Sequence, residues 1–483
     1  MPFFLDPIPC LGRAAVIGLG LVLAGQAGAV RLDPHGVGQV LLYPYYTVNV
    51  AQQTYVSLTN TTNRAKALQV DFREGHNSRS VLSLRVYLAP YDTWTGTVFA
   101  LADAVAGAGD GAALLSSDGS CTSPSFSTQA HGTVNGQPYL RFSTTAYAGD
   151  PGPQDATRTR EGHVEVVALA DLTGSLAAAI TQGPGGTSAC AVVADLEAPT
   201  AETLAPDGGL IGSGAVINVG QGTYFPYRAT ALDDFTSRVL VAPHVAAFDP
   251  LGEAGDAAGA TATVGVGATT VQAAYPADRR IDAVSAALTA NEIHNDYLHD
   301  AAIGANSDWL MTFPTKRFYT APGAPAIAPF AEPFGADGSC VMPRLVTFTR
   351  EGVLVSGGPF GAPSTTPNLC YATNVLPFVD GPPFPAHTDV LGSRLRARMN
   401  GTRAVSGLAQ LGFGNGIYSY ALRPSLGAEA GVPGHVFHGL PVIGFWASNL
   451  VNGHVADGVL ANYSGVVPHA VRVACTIGEA SCG

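Results

Sequence analysis

Between Val37 and Leu101 the chain runs through five short segments, QVLLYPYYTVNV, QTYVSLTN, KALQVDFRE, SVLSLRVYLA and TWTGTVFAL, all rich in Val, Leu, Tyr, Thr and Phe. Leu68, Val70 and Phe72, and then Leu82, Leu84, Val86 and Leu88, keep the period of two that marks a strand with one face on a core. Turn-prone groups, Asn60-Thr61-Thr62-Asn63 and Gly75-His76-Asn77-Ser78, separate the segments. Short strands at roughly ten-residue spacing, with turn signals between them, predict an antiparallel β-sandwich. Pro44 and Pro90 then belong at strand ends or edges, where a missing N–H costs nothing.

The pattern continues along the chain. A Gly/Ala/Ser-rich loop from Asp103 to Ala130 precedes the strand-like YLRFSTTAY and HVEVVALADL, and GAVINVGQGTYFPYRATAL reads as a hairpin turning at Gly220–Gly222. Ser175–Thr181 reads as a short helix, and 183–186 and 249–267 as loops. The best helical spacing lies in Arg280–Ala302: Ile281, Val284 and Leu288, then Ile293, Tyr297 and Ala301, with a slip near Asn291, which predicts two short helices. Strands resume with DWLMTF, RLVTFTRE, CYATNVLPF, the 404–413 run, GLPVIGFWASNLV and HAVRVAC.

One phrase recurs. Asp118-Gly119-Ser120-Cys121 and Asp337-Gly338-Ser339-Cys340 are each followed by a proline (Pro124, Pro343), a strand-like run (Leu140-Arg141-Phe142; Leu345-Val346-Thr347-Phe348) and a second cysteine (Cys190, Cys370). The recurrence favours a duplicated β-domain, although Asp-Gly is a common turn pair. The expected fold is mainly β: two tandem antiparallel β-sandwich (Ig-like) halves, residues 30–235 and 236–483, with a helical insert at 280–302.

Residues 11–29, LGRAAVIGLGLVLAGQAGA, place one arginine before an apolar run and end on Ala-Gly-Ala, which predicts a signal peptide over 1–29 cleaved after Ala29. A retained anchor helix is the competing reading, but the run is shorter than the ~20 residues that span a bilayer, and no later stretch reaches that length. The expectation is a secreted protein, extracellular or on the cell surface, with the periplasm as the other compartment. Long Gly/Pro loops argue against an outer-membrane barrel.

Six cysteines follow the signal: Cys121, Cys190, Cys340, Cys370, Cys475 and Cys482. Six allow fifteen pairings; order and spacing suggest Cys121–Cys190, Cys340–Cys370 and Cys475–Cys482. No pair has C-x-x-C spacing, so disulfides are preferred over zinc.

Charged residues make up 12% of the chain, about half of the ~25% usual for soluble domains, and only two are lysines, Lys66 and Lys316. A weakly charged surface favours association, which points to self-assembly or to packing with cell-envelope components; a GC-rich genome is the bland explanation. The net charge of −12 excludes a generic nucleic-acid binder. Arg394, Arg396 and Arg398, alternately spaced, read as a solvated strand face rather than an anion site.

No catalytic or cofactor motif stands out. There is no G-x-S-x-G elbow, no G-x-G-x-x-G opening a helix and no P-loop lysine, so no cofactor, metal or catalytic residue is assigned. Weak ligand-site candidates are Asp92 and Trp94, which suit a sugar-stacking site or, for Trp94, a core position, and His294 and His299 in the polar NEIHNDYLHD. On a helix Glu292 and Asp296, and Asp296 and Asp300, share a face, whereas histidines five apart diverge, unlike an H-E-x-x-H zinc pair. His435 and His438 in GHVFHG are spaced for chelation on a helical turn, but their glycines and prolines argue for a loop.

In GQVLLYPYY, TNTTNRAKAL, FREGHNSRSVL and LAPYDTWTG, and again in SDWLMTFPTKRFY, GLPVIGFWASNLVNG and GVLANYSG, the chain resembles a group of uncharacterised secreted proteins of Gram-negative bacteria labelled "cell surface protein". The resemblance implies an envelope location and carries no activity. The functional expectation is a structural or adhesive, non-enzymatic surface protein, with a carbohydrate-binding or carbohydrate-cleaving envelope protein as the alternative and a histidine-based metal hydrolase third.

Overall fold

The computed structural model describes residues 28–181, 189–243, 248–356, 366–378, 387–397, 406–413, 425–426, 435–477 and 480–482. The signal-peptide expectation falls almost wholly outside these residues, as do the expected 183–186 loop and Arg398. Among the described residues no helix is long and apolar enough to cross a membrane.

The protein is mainly β, and its first half is a sandwich. The inner strands of one sheet are Val40–Thr47, Glu161–Leu172 and Ala65–Glu74, with Glu161–Leu172 paired antiparallel to both neighbours. The facing seven-stranded sheet runs Thr223–Arg228, Leu210–Asn218, Gln53–Asn60, Thr93–Ala100, Ala112–Leu115, Gln137–Arg141, Gly132–Val134. The core between them takes Leu41, Val166 and Val70 from the first sheet and Val56, Leu58 and Val216 from the second. Alternation in Gln53–Asn60 follows directly, since its other face meets solvent.

The first sheet has ten strands and is covered on both faces, so Val40–Thr47, Ala65–Glu74 and Glu161–Leu172 are buried at every position. Its second face (Leu42, Val167, Leu169) packs against two helices, Gly174–Ile180 and Ile281–Ala287, and against the second half of the chain. The sheet also extends past residue 236. Ala29–Leu32 pairs in parallel with Gly259–Val266, which forms a hairpin with Thr269–Pro276 at the sheet's edge. Residues 259–266, expected to be loop, are therefore strand; their alternation (Ala260, Ala262, Val264, Val266 buried) is carried by small residues and is easily missed.

The second half stacks two further sheets. One orders Thr373–Phe378, Ala305–Thr312, Ile443–Ala456, Val459–Pro468; the other Leu354–Ser356, Arg344–Thr349, Ser406–Gly412, Glu292–Leu298, Ala470–Arg472. Tyr297 stacks on Phe378 with ring centroids 5.0 Å apart, and Trp309 donates Nε1–H to the Asp296 carbonyl at 2.9 Å.

The expected helical insert at 280–302 is half right. Ile281–Ala287 is helix, but Glu292–Leu298 is a strand paired on both sides. Ile293 and Tyr297 are four apart, a spacing that keeps two residues on one face of a strand as well as of a helix. Arg394 lies in an irregular segment and Arg396 makes a single isolated bridge with Val375, so they form no strand face.

Three disulfides close the chain, Cys121–Cys190, Cys340–Cys370 and Cys475–Cys482, the pairing that order and spacing suggest.

Candidate functional site

The residues singled out by sequence do not converge. Trp94 lies in the sandwich core, 1% exposed. Asp92 is a turn residue: its Oδ1 accepts from Thr93 N at 2.9 Å, its Oδ2 from Ala89 N at 3.3 Å, and Ser120 Oγ lies 3.2 Å away. Asp118 accepts from Ser120 N at 2.9 Å and Thr95 N at 3.2 Å, so the first Asp-Gly-Ser-Cys copy fastens a turn. The second copy is built differently: Gly338 takes φ +91°, and Ser339 donates Oγ–H to the Glu332 carbonyl at 2.6 Å.

His294 is on a strand, 3.1 Å from Glu292 two residues away on the same face, and His299 lies beyond that strand's end. His435 and His438 are on a strand rather than in a loop; three apart, they face opposite sides, and His438 Nε2 pairs with Thr476 Oγ1 at 2.9 Å. Among the described residues no group of three His, Cys, Asp or Glu side chains could hold a metal.

Sequence reasoning missed a set of buried ion clusters. Arg317 lays both terminal nitrogens on Glu165 at 2.7 and 2.8 Å and also holds Asp249, while Arg73 reaches Glu165 at 2.6 Å. Burial by itself raises the Glu165 carboxyl, but the Arg317 and Arg73 guanidinia outweigh it and hold that carboxyl far below its usual range. Burial pushes the neighbouring His163 down, so it is neutral at physiological pH. Arg158 grips Glu74 and Asp150 in the same two-pronged way. Both lysines are interior: Lys66 binds Asp171 at 2.8 Å, and Lys316 donates to the carbonyls of Ser339 and Tyr371. Burial drops the Lys316 amine to about 7. Apart from Asp150, Asp207, Asp249 and Arg317 at their rims, these groups are closed to solvent and act as pins between distant segments. Their signal in the sequence is a charge inside a strand that is otherwise apolar, as in VDFRE and HVEVV.

An open concavity lies where the first sandwich meets the Ile443–Ala456 and Val459–Pro468 hairpin. An outer chamber of about 890 Å³ and an inner one of about 520 Å³ share Leu32, Pro34, Thr230, Gly444, Pro468 and His469 as walls. Both sizes fall within the about 300–1,000 Å³ of small-molecule sites. The hairpin is tied to the sandwich by Ser464, whose hydroxyl accepts from Tyr224 N at 2.7 Å and donates to Tyr224 O at 2.9 Å. In the outer chamber Tyr55 (37% exposed) and Tyr224 (53%) line the wall beside Arg228. Asp33 is the lining carboxylate, and its Oδ1 is occupied by the N–H groups of His35 and Val37. His469 donates Nε2–H to the Leu310 carbonyl at 3.0 Å, and burial lowers it to about 4, so the shared wall carries a neutral imidazole.

A second feature is the edge strand Thr269–Pro276. Gly267, φ +59°, opens a two-residue turn, and eight register pairs from Val266–Thr269 to Gly259–Pro276 run without a bulge. Such a hairpin closes on a hydrogen-bonded pair, and pairs then alternate. The N–H and C=O groups of Thr270, Gln272 and Ala274 therefore point outward, with no partner among the described residues.

Compared with known proteins, the chain matches no family model, no curated protein and no solved structure.

Proposed function

We propose that this is a secreted or cell-surface protein with a structural or adhesive, non-enzymatic role, and that it assembles with itself through the Thr269–Pro276 edge. Three disulfides fit an oxidising compartment. The edge carries the reading. Natural sheets protect exposed edges with charges, prolines or bulges; this strand has no charged residue, no bulge, and its one proline at the last position. It is also self-complementary. Antiparallel pairing about Gln272 sets Thr270 of one copy against Ala274 of the other and Gln272 against itself, so outward groups meet outward groups. The same register puts Val271 against Ala273 on the core side.

The test is light scattering on the eluting peak of the purified protein, which should give a mass of at least twice one chain. Gln272→Pro deletes an outward N–H, leaves the hairpin's own bonds intact, and should give monomer. Opposed residues of a hydrogen-bonded pair lie about 5.5 Å apart at Cα, inside disulfide range; Gln272→Cys should therefore cross-link two chains on mild oxidation, whereas Val219→Cys, on a remote exposed turn, should not. A monomer at all concentrations with no Gln272→Cys cross-link overturns the reading. The carbohydrate alternative draws support from Tyr55 and Tyr224, whose exposed rings suit sugar faces. Its cleaving form needs two carboxylates, and the described lining of the cleft supplies Asp33 alone.

A further inference from the structure

We propose that the two-chambered cleft binds a free long-chain carboxylate, its hydrocarbon tail in the inner chamber and its carboxylate on Arg228. The inner chamber is lined by aliphatic side chains, among them Val264, Leu288, Ile293, Val442, Val471 and Val473. None of its lining residues is Asp, Glu, Lys or Arg, and its polar side chains are three threonines and His469. Such a chamber gives a sugar no hydrogen-bond array, but its apolar side chains take methylenes out of water.

The charge lies at the other end. Arg228 is exposed, lines the outer chamber, and its guanidinium makes no ion pair or hydrogen bond among the described residues. Arg31, by contrast, is paired with Asp233 and Asp234, and the buried Arg73 and Arg158 and the largely enclosed Arg317 all grip carboxylates. An unpaired guanidinium presents a planar fork that matches one carboxylate with two parallel hydrogen bonds. Asp33, the other charged lining group, has Oδ1 engaged by the backbone and forms no ion pair with Arg228. The chambers share one wall, so a single extended molecule with an apolar body and one anionic end satisfies both.

The test uses cis-parinaric acid, a fluorescent eighteen-carbon carboxylate, and its methyl ester, titrated into the purified full chain. The acid should bind saturably and at least about tenfold more tightly than the ester. Arg228→Gln should abolish that preference while leaving ester binding unchanged. Val471→Trp, at the chamber's solvent-exposed rim, should weaken the long acid but not displacement by octanoate, with an unchanged circular dichroism spectrum confirming the fold. No saturable signal from folded wild-type protein, equal affinity for acid and ester, or displacement by neutral oligosaccharides but not by palmitate would each overturn the proposal. Since the readout is ligand affinity, a failure here leaves the assembly result untouched, and the converse holds.

Discussion

Asp308 offers the sharpest test of the packing between the two halves. It sits 1% exposed on the central Ala305–Thr312 strand, where Oδ2 accepts the Leu391 N–H at 2.8 Å and Oδ1 has no hydrogen-bond partner. Burial raises its carboxyl from the ordinary 3.8 to about 7, against the smaller lowering effects of Thr388 and the Leu391 amide. Because the folded pKa lies above the unfolded one, the unfolded chain sheds this proton first as pH rises. Stability tied to Asp308 is therefore whole below pH ~4, falls through the window from ~4 to ~7, and stays lost above it. The gap of about three pH units at 1.36 kcal/mol each is worth about 4 kcal/mol. With an unfolding entropy near 2.1 cal/mol/K per residue, a chain of this size loses roughly 1 kcal/mol per degree, so the effect is about 4 °C in Tm. Asp308→Asn keeps the acceptor for Leu391 and cannot ionise. Differential scanning calorimetry at pH 4 should place variant and wild type close together, and at pH 8 the variant should gain about 4 °C relative to wild type. A difference that stays flat from pH 4 to pH 8 refutes the argument that Asp308 ionises at a cost inside the fold.

Arg317→Ala should cost about 3 kcal/mol, because it leaves the buried Glu165 and the half-buried Asp249 sharing Arg73 as their counter-charge; a urea midpoint within error of wild type would contradict the cluster's geometry. Replacing Cys121 and Cys190 together by alanine frees a 69-residue loop, worth about 4 kcal/mol of unfolded-state entropy, and thermal melts under non-reducing conditions check it. An amine-reactive ester should leave Lys66 and Lys316 unmodified in native protein and label both after denaturation, since both amines are enclosed. Fast native labelling of either lysine, read by peptide mass spectrometry, would show that its pocket opens.

What was legible in the sequence tracks how local the physics is. Gln53–Asn60 has one wet face, and its alternation announced a strand. Glu161–Leu172 is covered on both sides, so hydropathy revealed a buried strand but not which positions carry Glu165 against Arg73 and Arg317. Ile281 to Ala287 declared itself a helix; Ile293 and Tyr297 fitted two periods at once, and only pairing with Ser406–Gly412 decides for the strand. The cleft left no local trace, since Leu32, Arg228, Gly444 and His469 meet from four remote parts of the chain. The unprotected edge was hidden in a stretch whose small residues looked like loop.

The low charge content takes on a different meaning once the charges are located. Lys66, Arg73, Arg158, Lys316, Glu74, Glu161, Glu165 and Asp171 are all buried, so part of an already small complement of charge lies inside the fold. Those interior ions join segments far apart in sequence: Lys66 to Asp207, Arg317 to Glu165, and Glu161 to Ser393. A GC-rich genome would account for arginine in place of lysine, but not for the enclosure of both remaining lysines. The surface carries no lysine among the described residues, the side chain natural proteins use most to blunt an exposed β-sheet edge. The assembly proposed above through the uncharged Thr269–Pro276 edge predicts that a single charge placed at Gln272 should reduce the mass seen by light scattering more than the same charge placed at the exposed Val219.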